Sequence, residues 1–386
     1  MKILRITLLL TIAACYSCDF DTAISNDYSK NLVFDGVHSF DLDSETSFEF
    51  YNIQYLRNGV EEFLLVLNPL INGVNIYNLK EKTVVNKLKV PTEGPNGLAN
   101  IQGFTAVTLD SIFLFPKGHL NKFILVKKSG ELVNKYSPKA ITYRGILNHI
   151  SSTLQPTIFF DNKLYFVQWP LFDTYNSKNI SSGFPLEIEY SIETDSLISL
   201  PVTYPKTFHS NIWSLWDIIH SRTFNFNNSS FIYSFNSIDS IQSINFTGGS
   251  PTSFKASLNT NSNQSRSYSK KPNSMVELKN NLSVHRYSGI LYDEFRDVYY
   301  RFALNPVTFN DKLHKNYKAY ESMPMSIIIL NNSFEKIGET PLEPNKYTIY
   351  SAFVGKNGLY LPQINVNNIN LNEDQIHFSK YVLQNK

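Results

Sequence analysis

Ten side chains in this sequence combine the acids, imidazoles, cations and rings from which binding or catalytic sites are built: Glu93, Asn96, Tyr143, Arg144, His149, His209, Trp213, His285, Arg286 and Lys346. They fall in five links between apolar runs, at 93–97, 142–149, 207–213, 285–287 and 343–347. Glu93 and Glu343 could supply the two carboxylates that a glycosidase or lyase needs as acid and base. Trp213 and Trp216 could stack on a sugar face, or simply pack. His209 and His285 come from different links, and neither belongs to an H-E-x-x-H pattern or a closely spaced histidine pair, so no metal and no cofactor is expected. Gly94-Pro95-Asn96-Gly97 also has the composition of a plain turn, because Gly and Asn tolerate left-handed backbone and Pro fixes its neighbour. No G-x-S-x-G elbow, P-loop or dinucleotide fingerprint occurs, and no catalytic residue is assigned.

Elements able to position these links emerge when the strongest apolar runs are aligned. The runs begin at Phe63, Ser111, Lys163, Ser230, Asp297 and Gly358, at intervals of 48, 52, 67, 67 and 61 residues. Each follows a strand-like partner across a short turn, among them Asn58-Gly59, Asp161-Asn162, Asn227-Asn228 and Asn357-Gly358, as hairpins require. Two further strands follow each of the first five runs. The runs are apolar at nearly every position rather than alternately, the pattern of a sheet covered on both faces. Four-stranded units of this size must hide their faces against one another, which predicts an all-β fold: a six-bladed β-propeller. The sixth unit offers only three strands, at 347–354, 358–362 and 375–383, so the stretch 31–43 is expected to close the last blade as its outer strand. A two-sheet sandwich is the competing architecture. Asn259 to Asn273 reads as an exposed polar excursion and Asp311 to Ser322 as a short helix. Arg301, inside an apolar strand, requires a partner if buried, and an ion pair is expected there.

The first 18 residues read as a lipoprotein signal, with Lys2 and Arg5 as the charged start, 6–12 as the apolar stretch and Ile12-Ala13-Ala14-Cys15 as the processing site. Cys15 is the expected lipidation site, with Cys18, preceded by Ser17, as the alternative. The apolar stretch is too short to span a bilayer, which needs about 20 such residues. Residues 19–30 read as a tether and 31–386 as one propeller domain. These are the only 2 cysteines, which leaves the folded part without a disulfide, a thiolate ligand or a thiol nucleophile. Of 35 Lys and Arg against 33 Asp and Glu, two cations lie in the signal, so the remainder balances at zero. Nothing in that charge would attract nucleic acid or an anionic membrane surface.

Glu93-Gly94-Pro95-Asn96-Gly97 followed by Leu109-Asp110-Ser111-Ile112-Phe113, together with Tyr292-Asp293 and Arg296-Asp297-Val298-Tyr299-Tyr300-Arg301-Phe302, resembles the lipoproteins of Bacteroides-type bacteria in the domain-of-unknown-function family numbered 4221. Those proteins are similar to six-bladed, TolB-like propellers. The resemblance implies a cell-envelope location, through a lipid anchor on the periplasmic or surface face of the outer membrane, and supplies no activity. The expected function is a ligand-binding or protein-interaction module, its partner a small ligand or an envelope protein. A hydrolase or lyase acting on a carbohydrate or other small extracellular substrate is the alternative, and a structural subunit of an envelope assembly is a third reading.

Overall fold

Near-continuous apolar runs become the second strands of antiparallel sheets, covered on both faces by their neighbours. A computed structural model describes residues 28–142, 148–245, 250–259, 267–311, 314 and 317–386. Cys15, Cys18, the signal, most of the tether, Tyr143 and Arg144 lie outside the described residues.

The chain opens with β1 (Lys30–Asp41) and then builds a four-stranded sheet from β2 (Ile53–Asn58), β3 (Glu61–Asn68), β4 (Gly73–Asn78) and β5 (Thr83–Lys89). A second sheet comprises β6 (Ile101–Thr108) and β7 (Ser111–Pro116), and, beyond the two-residue β8 (Gly118–His119), β9 (Phe123–Val126) and β10 (Leu132–Tyr136). The third contains β11 (Lys139–Thr142), β12 (Asn148–Ile150), β13 (Ile158–Phe160), β14 (Lys163–Gln168), β15 (Glu187–Ser191) and β16 (Ser196–Ser199), with β8 at its edge and the helix α1 (Ser177–Ser181) inserted. After α2 (Leu215–Ile218) the fourth sheet follows as β17 (His220–Asn225), β18 (Ser230–Phe235), β19 (Ser240–Asn245) and β20 (Thr252–Lys255). Beyond α3 (Ser274–Leu282) come β21 (Arg286–Asp293), β22 (Val298–Leu304), β23 (Met325–Asn331), β24 (Lys336–Pro341), β25 (Phe353–Gly355), β26 (Gly358–Pro362) and β27 (Gln375–Asn385). With β1, these seven form one eight-stranded sheet in the order β21-β22-β23-β24-β1-β27-β26-β25.

The fold is therefore all-β and propeller-like, with four blade-like sheets and one larger sheet where six separate sheets are expected. The difference has a local cause. β1 pairs antiparallel with β27 from Lys30↔Asn385 to Asp41↔Gln375, and its first residue also meets β24 through one parallel pair, Lys30↔Gly338. Only glycine fits there, since a Cβ at 338 would sit 2.5 Å from the Lys30 carbonyl oxygen. The expected strand 347–354 shrinks to β25 because the chain before it turns into a cavity described below.

Consecutive sheets meet through apolar clusters. Leu65 and Ile76 pack on Leu114 and Ile124; Phe115 and Phe123 on Phe166 and Tyr190; Tyr165 on Phe231 and Tyr233; Ile232 and Ile241 on Ile290 and Ile328; Phe302 and Ile329 on Leu359 and Leu361. Phe40, Phe353 and Phe378 return to Leu64 and Tyr77 of the first sheet. Each such side chain contributes roughly 1.5–3 kcal/mol on burial. The hairpins carry the chemistry their turns require: Asp161 and Asn162 both adopt positive φ, 51° and 54°, as a two-residue turn between β13 and β14 demands.

Buried charges link the sheets. The expected ion pair of Arg301 is replaced by a cage of carbonyls. From β22 its guanidinium reaches into the fourth sheet and donates to Ser234 Oγ (2.9 Å) and to the carbonyls of Ile238 (2.6 Å), Ala256 (2.7 Å) and Asp239 (3.0 Å). Its Cζ lies 3.5 Å from the centre of the Tyr287 ring. A guanidinium with five donors can satisfy several carbonyls at a sheet end, where a carboxylate could satisfy none. Arg222 of β17 and Glu187 of β15 do form a fully buried pair, with Nε and Oε1 2.7 Å apart, and the Tyr233 hydroxyl donates to the same carboxylate at 3.0 Å. Burial pushes the Glu187 carboxyl up to about 7.

Candidate functional site

The links that enter β2, β13, β17, β21 and β25 gather at one end of the fold. The long connection from β22 to β23 ends there too, carrying the 3-10 turn Tyr317–Ser322. Together they line a cavity of about 180 Å³. Tyr51, Trp216, Tyr320 and Tyr350 stand at its rim. Trp216 and Tyr320 have ring centres 4.8 Å apart, and Tyr51 and Tyr350 6.0 Å. Tyr51 is 58% exposed and Tyr350 43%, a large aromatic surface left facing solvent.

The deeper wall carries polar side chains, with no carboxylate among the described residues that line it: Gln155, His220, Ser221, Asn236, Arg286 and Ser288 contribute to it beside Leu154, Ile219 and Leu304. Three of its buried atoms, His220 Nε2, Ser221 Oγ and Ser288 Oγ, have no hydrogen-bond partner. Buried polar atoms are normally paired, so such a group marks a place where water or a ligand completes the set. Burial, with the Arg222 charge as a smaller cause, pushes the His220 imidazole down to about 3, so it is neutral at physiological pH and presents one nitrogen as donor or acceptor. Gln155 is fixed by its amide, which donates to the His220 carbonyl at 2.9 Å.

Of the sequence candidates among the described residues, Trp216, offered as a stacking ring, and Arg286 line this cavity, and Arg286 is tied back into the scaffold. Its Nη2 meets Asp217 Oδ1 at 2.6 Å, Nη1 donates to the Trp216 carbonyl at 3.3 Å and Nε to the Asn281 carbonyl at 3.2 Å. Asp217 also closes a capping box with Ser214 at the start of α2. Arg286 thereby fixes the turn that carries Trp216.

The other candidates lie apart. Glu93 and Asn96 are exposed on a turn in which the Gly97 amide donates to the Gly94 carbonyl at 3.1 Å, with Gly94 at φ +85°. His149, in β12, is buried between Phe115 and Phe166; its Nε2 sits 2.9 Å from the Pro116 carbonyl, and burial pushes it down to about 4. His209 Nε2 is 3.1 Å from the Tyr204 carbonyl. Trp213 packs edge-on against Phe208 in the core, at 5.2 Å. His285 Nε2 is 2.9 Å from Asp239 Oδ1, which also accepts from the Tyr287 hydroxyl at 2.7 Å. Lys346 pairs with Glu343 at 2.7 Å. Neither Glu93 nor Glu343 reaches a described cavity.

Sequence reasoning missed Ser221, Ser288, His220, Tyr51, Tyr320 and Tyr350. Ser288 lies one residue past the 285–287 link, and Ser221 and His220 lie within ten residues of the 207–213 link, so the region was legible where the residues were not. Two other cavities are present. One, of about 370 Å³, lies along the first strands of the first three sheets, where the Gln54 side chain pairs both ways with the Ala106 backbone, at 2.7 and 2.8 Å. The other, of about 240 Å³, adjoins the aromatic rim. No described helix is long and apolar enough to cross a membrane.

An all-β, propeller-like chain with a cavity at one mouth is the class these features define. The family model "Domain of unknown function (DUF4221)" matches residues 29–341. The chain belongs to that family. A solved DUF4221 member from Bacteroides vulgatus superposes with a TM-score of 0.81 at 20% identity, covering 93% of this chain and 100% of its own. A Bacteroides fragilis structure carrying the name of an exported protein superposes at 0.50 and 10% identity, over 95% and 98% of the two chains. Both likenesses concern the fold. No curated protein matches the chain.

Proposed function

We propose that this protein is a lipid-anchored cell-envelope propeller that binds a small ligand at the mouth described above. The observation that carries the reading is the cavity itself: three buried polar atoms without partners beneath four aromatic rings. A cavity lined by aromatic and aliphatic side chains, with a few convergent polar groups, is the usual form of a small-molecule site. Among the described residues its deep wall holds no carboxylate of the kind hydrolysis or elimination would call on, and its histidine is neutral, which favours binding over acid–base chemistry. The envelope location rests on the signal-like start of the sequence and on the exported name of the Bacteroides fragilis structure. Cys15, or else Cys18, would carry the lipid.

We further read the scaffold as six wedges. The eight-stranded sheet contains two four-stranded halves that meet at the single pair Lys30↔Gly338, and the apolar clusters run from sheet to sheet in a full circle. On this reading β1 completes the sixth wedge.

Native mass spectrometry of protein purified without detergent exchange or dialysis tests the binding function. The expected result is a retained small molecule that is lost from Trp216→Ala. Protein that carries none, and whose melting temperature no metabolite extract changes, overturns it. Metabolic labelling with a fatty acid, in Cys15→Ala and Cys18→Ala variants, tests the anchor.

A further inference from the structure

Resting on the mouth cavity as the ligand site, we propose that its ligand is a neutral monosaccharide unit, one six-membered ring that carries hydroxyls and no charge. Size sets the first limit. A cavity of about 150 Å³ takes up benzene, so a space of about 180 Å³ accepts a single six-membered ring. Charge sets the second. Arg286 is the one lining residue, among those described, that is charged at neutral pH, and Asp217 at 2.6 Å balances it. Its Nε and Nη1 donate to the carbonyls of Asn281 and Trp216. An acidic or basic ligand would leave water here without gaining a counter-charge, which is costly.

The unpartnered atoms decide what the ring carries. Ser221 is 3% exposed and His220 4%, and Ser221 Oγ, Ser288 Oγ and His220 Nε2 have no partner in the protein. A serine hydroxyl both donates and accepts, and the neutral imidazole offers one nitrogen. Hydroxyls on a ligand match such a set, because each can give or take a hydrogen bond in turn. A bare aromatic ring would satisfy Trp216 and Tyr320, whose centres lie 4.8 Å apart, and leave all three polar atoms unmet. A pyranose does both. Its faces present C–H groups, which are drawn to the negative faces of aromatic rings, and its edge presents hydroxyls to the serines and the imidazole.

Tryptophan fluorescence titration of the full mature chain tests this. The probes are D-glucose, D-galactose and D-mannose as neutral sugars, D-glucuronate and D-glucosamine as charged ones, and tetrahydropyran and uracil as rings without hydroxyls. Glucosamine is the stricter charged control, since Glu49 and Glu321 line the adjoining cavity. One of the neutral hexoses is expected to saturate the protein and to bind roughly fivefold or more tighter than either charged sugar. It should bind roughly tenfold or more tighter than tetrahydropyran or uracil, because a site built to hold a hydroxyl rejects the ring that lacks it. Ser221→Ala and Ser288→Ala should each weaken that hexose by roughly three- to tenfold. Neither should lower the melting temperature of the free protein, since neither hydroxyl has a partner to lose; a merely structural serine would lower it and spare the affinity. Tightest binding by glucuronate, glucosamine, tetrahydropyran or uracil overturns the sugar inference while leaving the mouth as a binding site. Saturation by none of the probes also overturns it, and the retained-ligand experiment then decides separately on the mouth.

Discussion

Replacing Arg301 by methionine removes the guanidinium that ties β22 to the neighbouring sheet while keeping an unbranched side chain of similar reach. The guanidinium donates to the carbonyls of Ile238, Ala256 and Asp239 at 2.6 to 3.0 Å. The Asp239 carbonyl keeps the Ala256 amide as a donor at 2.9 Å, so the carbonyls of Ile238 and Ala256 are the two left unpaired, at about 1–3 kcal/mol each. Loss of the Tyr287 contact adds about 1 kcal/mol. Burial opposes the charge, pushing the guanidinium from 12.5 to about 10; methionine is spared that cost, about 3 kcal/mol at 1.36 per unit. Typical net values for hydrogen bonds to charged groups already include desolvation, and four such bonds at about 1.5 kcal/mol give roughly 6. At about 2 kcal/mol per stranded carbonyl the first route leaves about 2 kcal/mol, so the expected destabilisation is about 2–6 kcal/mol, a large part of the 5–15 kcal/mol typical of folded proteins. Urea denaturation followed by circular dichroism and by tryptophan fluorescence measures it. Arg301→Lys, with three donors in place of five, should fall between. A loss below about 1 kcal/mol for Arg301→Met would show that water satisfies those carbonyls and that the cage is not a stabilising device.

Acid should weaken the fold above pH 4.5. His149 and His220 have folded values of about 4 and about 3 against 6.5, so their stabilisation is present above pH 6.5 and is lost as pH falls. Glu187, raised from 4.5 to about 7, acts in the opposite sense, its stabilisation lost as pH rises toward 7. Near pH 5.5 the unfolded chain thus binds a net excess of about one proton, a slope of about 1.4 kcal/mol per pH unit; denaturation midpoints that rise between pH 6.5 and 5 contradict this. Gly73→Ala would place a Cβ 1.9 Å from the Leu88 carbonyl oxygen, and the backbone shift should cost about 3 kcal/mol or more, read as a lowered melting temperature. Arg286→Met removes the cation paired with the buried Asp217 carboxylate while its bonds from Ser214 remain, at up to about 3–5 kcal/mol. It should also loosen the turn carrying Trp216, visible as a red-shifted emission in the folded state.

The sheets were legible because burial on two faces writes itself into the chain: Leu164-Tyr165-Phe166-Val167 can scarcely be anything but a covered strand. The site was legible only as a region. In a strand the direction of a side chain alternates, so whether Ser221 or Arg222 faces the cavity depends on register, which the sequence leaves open. His285 and Lys346 stand out by residue type, yet local carboxylates engage both. Tyr320 belongs to an insertion whose return to the mouth no local pattern announces, and among 23 tyrosines the three at the rim have no distinguishing neighbours. Arg301 was singled out correctly as a buried charge, but carbonyl partners at a sheet end carry no residue signature.

The seam between β1 and β27 joins residues as distant as Lys30 and Asn385, 355 positions apart. Bringing such remote partners together costs roughly 5 kcal/mol of chain entropy, and it must wait until β27 has been made. Throughout synthesis β1 is an unpaired ribbon with nothing to zip onto, vulnerable to joining other chains edge to edge. A product cut before Gln375, where β27 begins, would leave β1 without its antiparallel partner, so aggregation of such shortened products is the expected failure of this design.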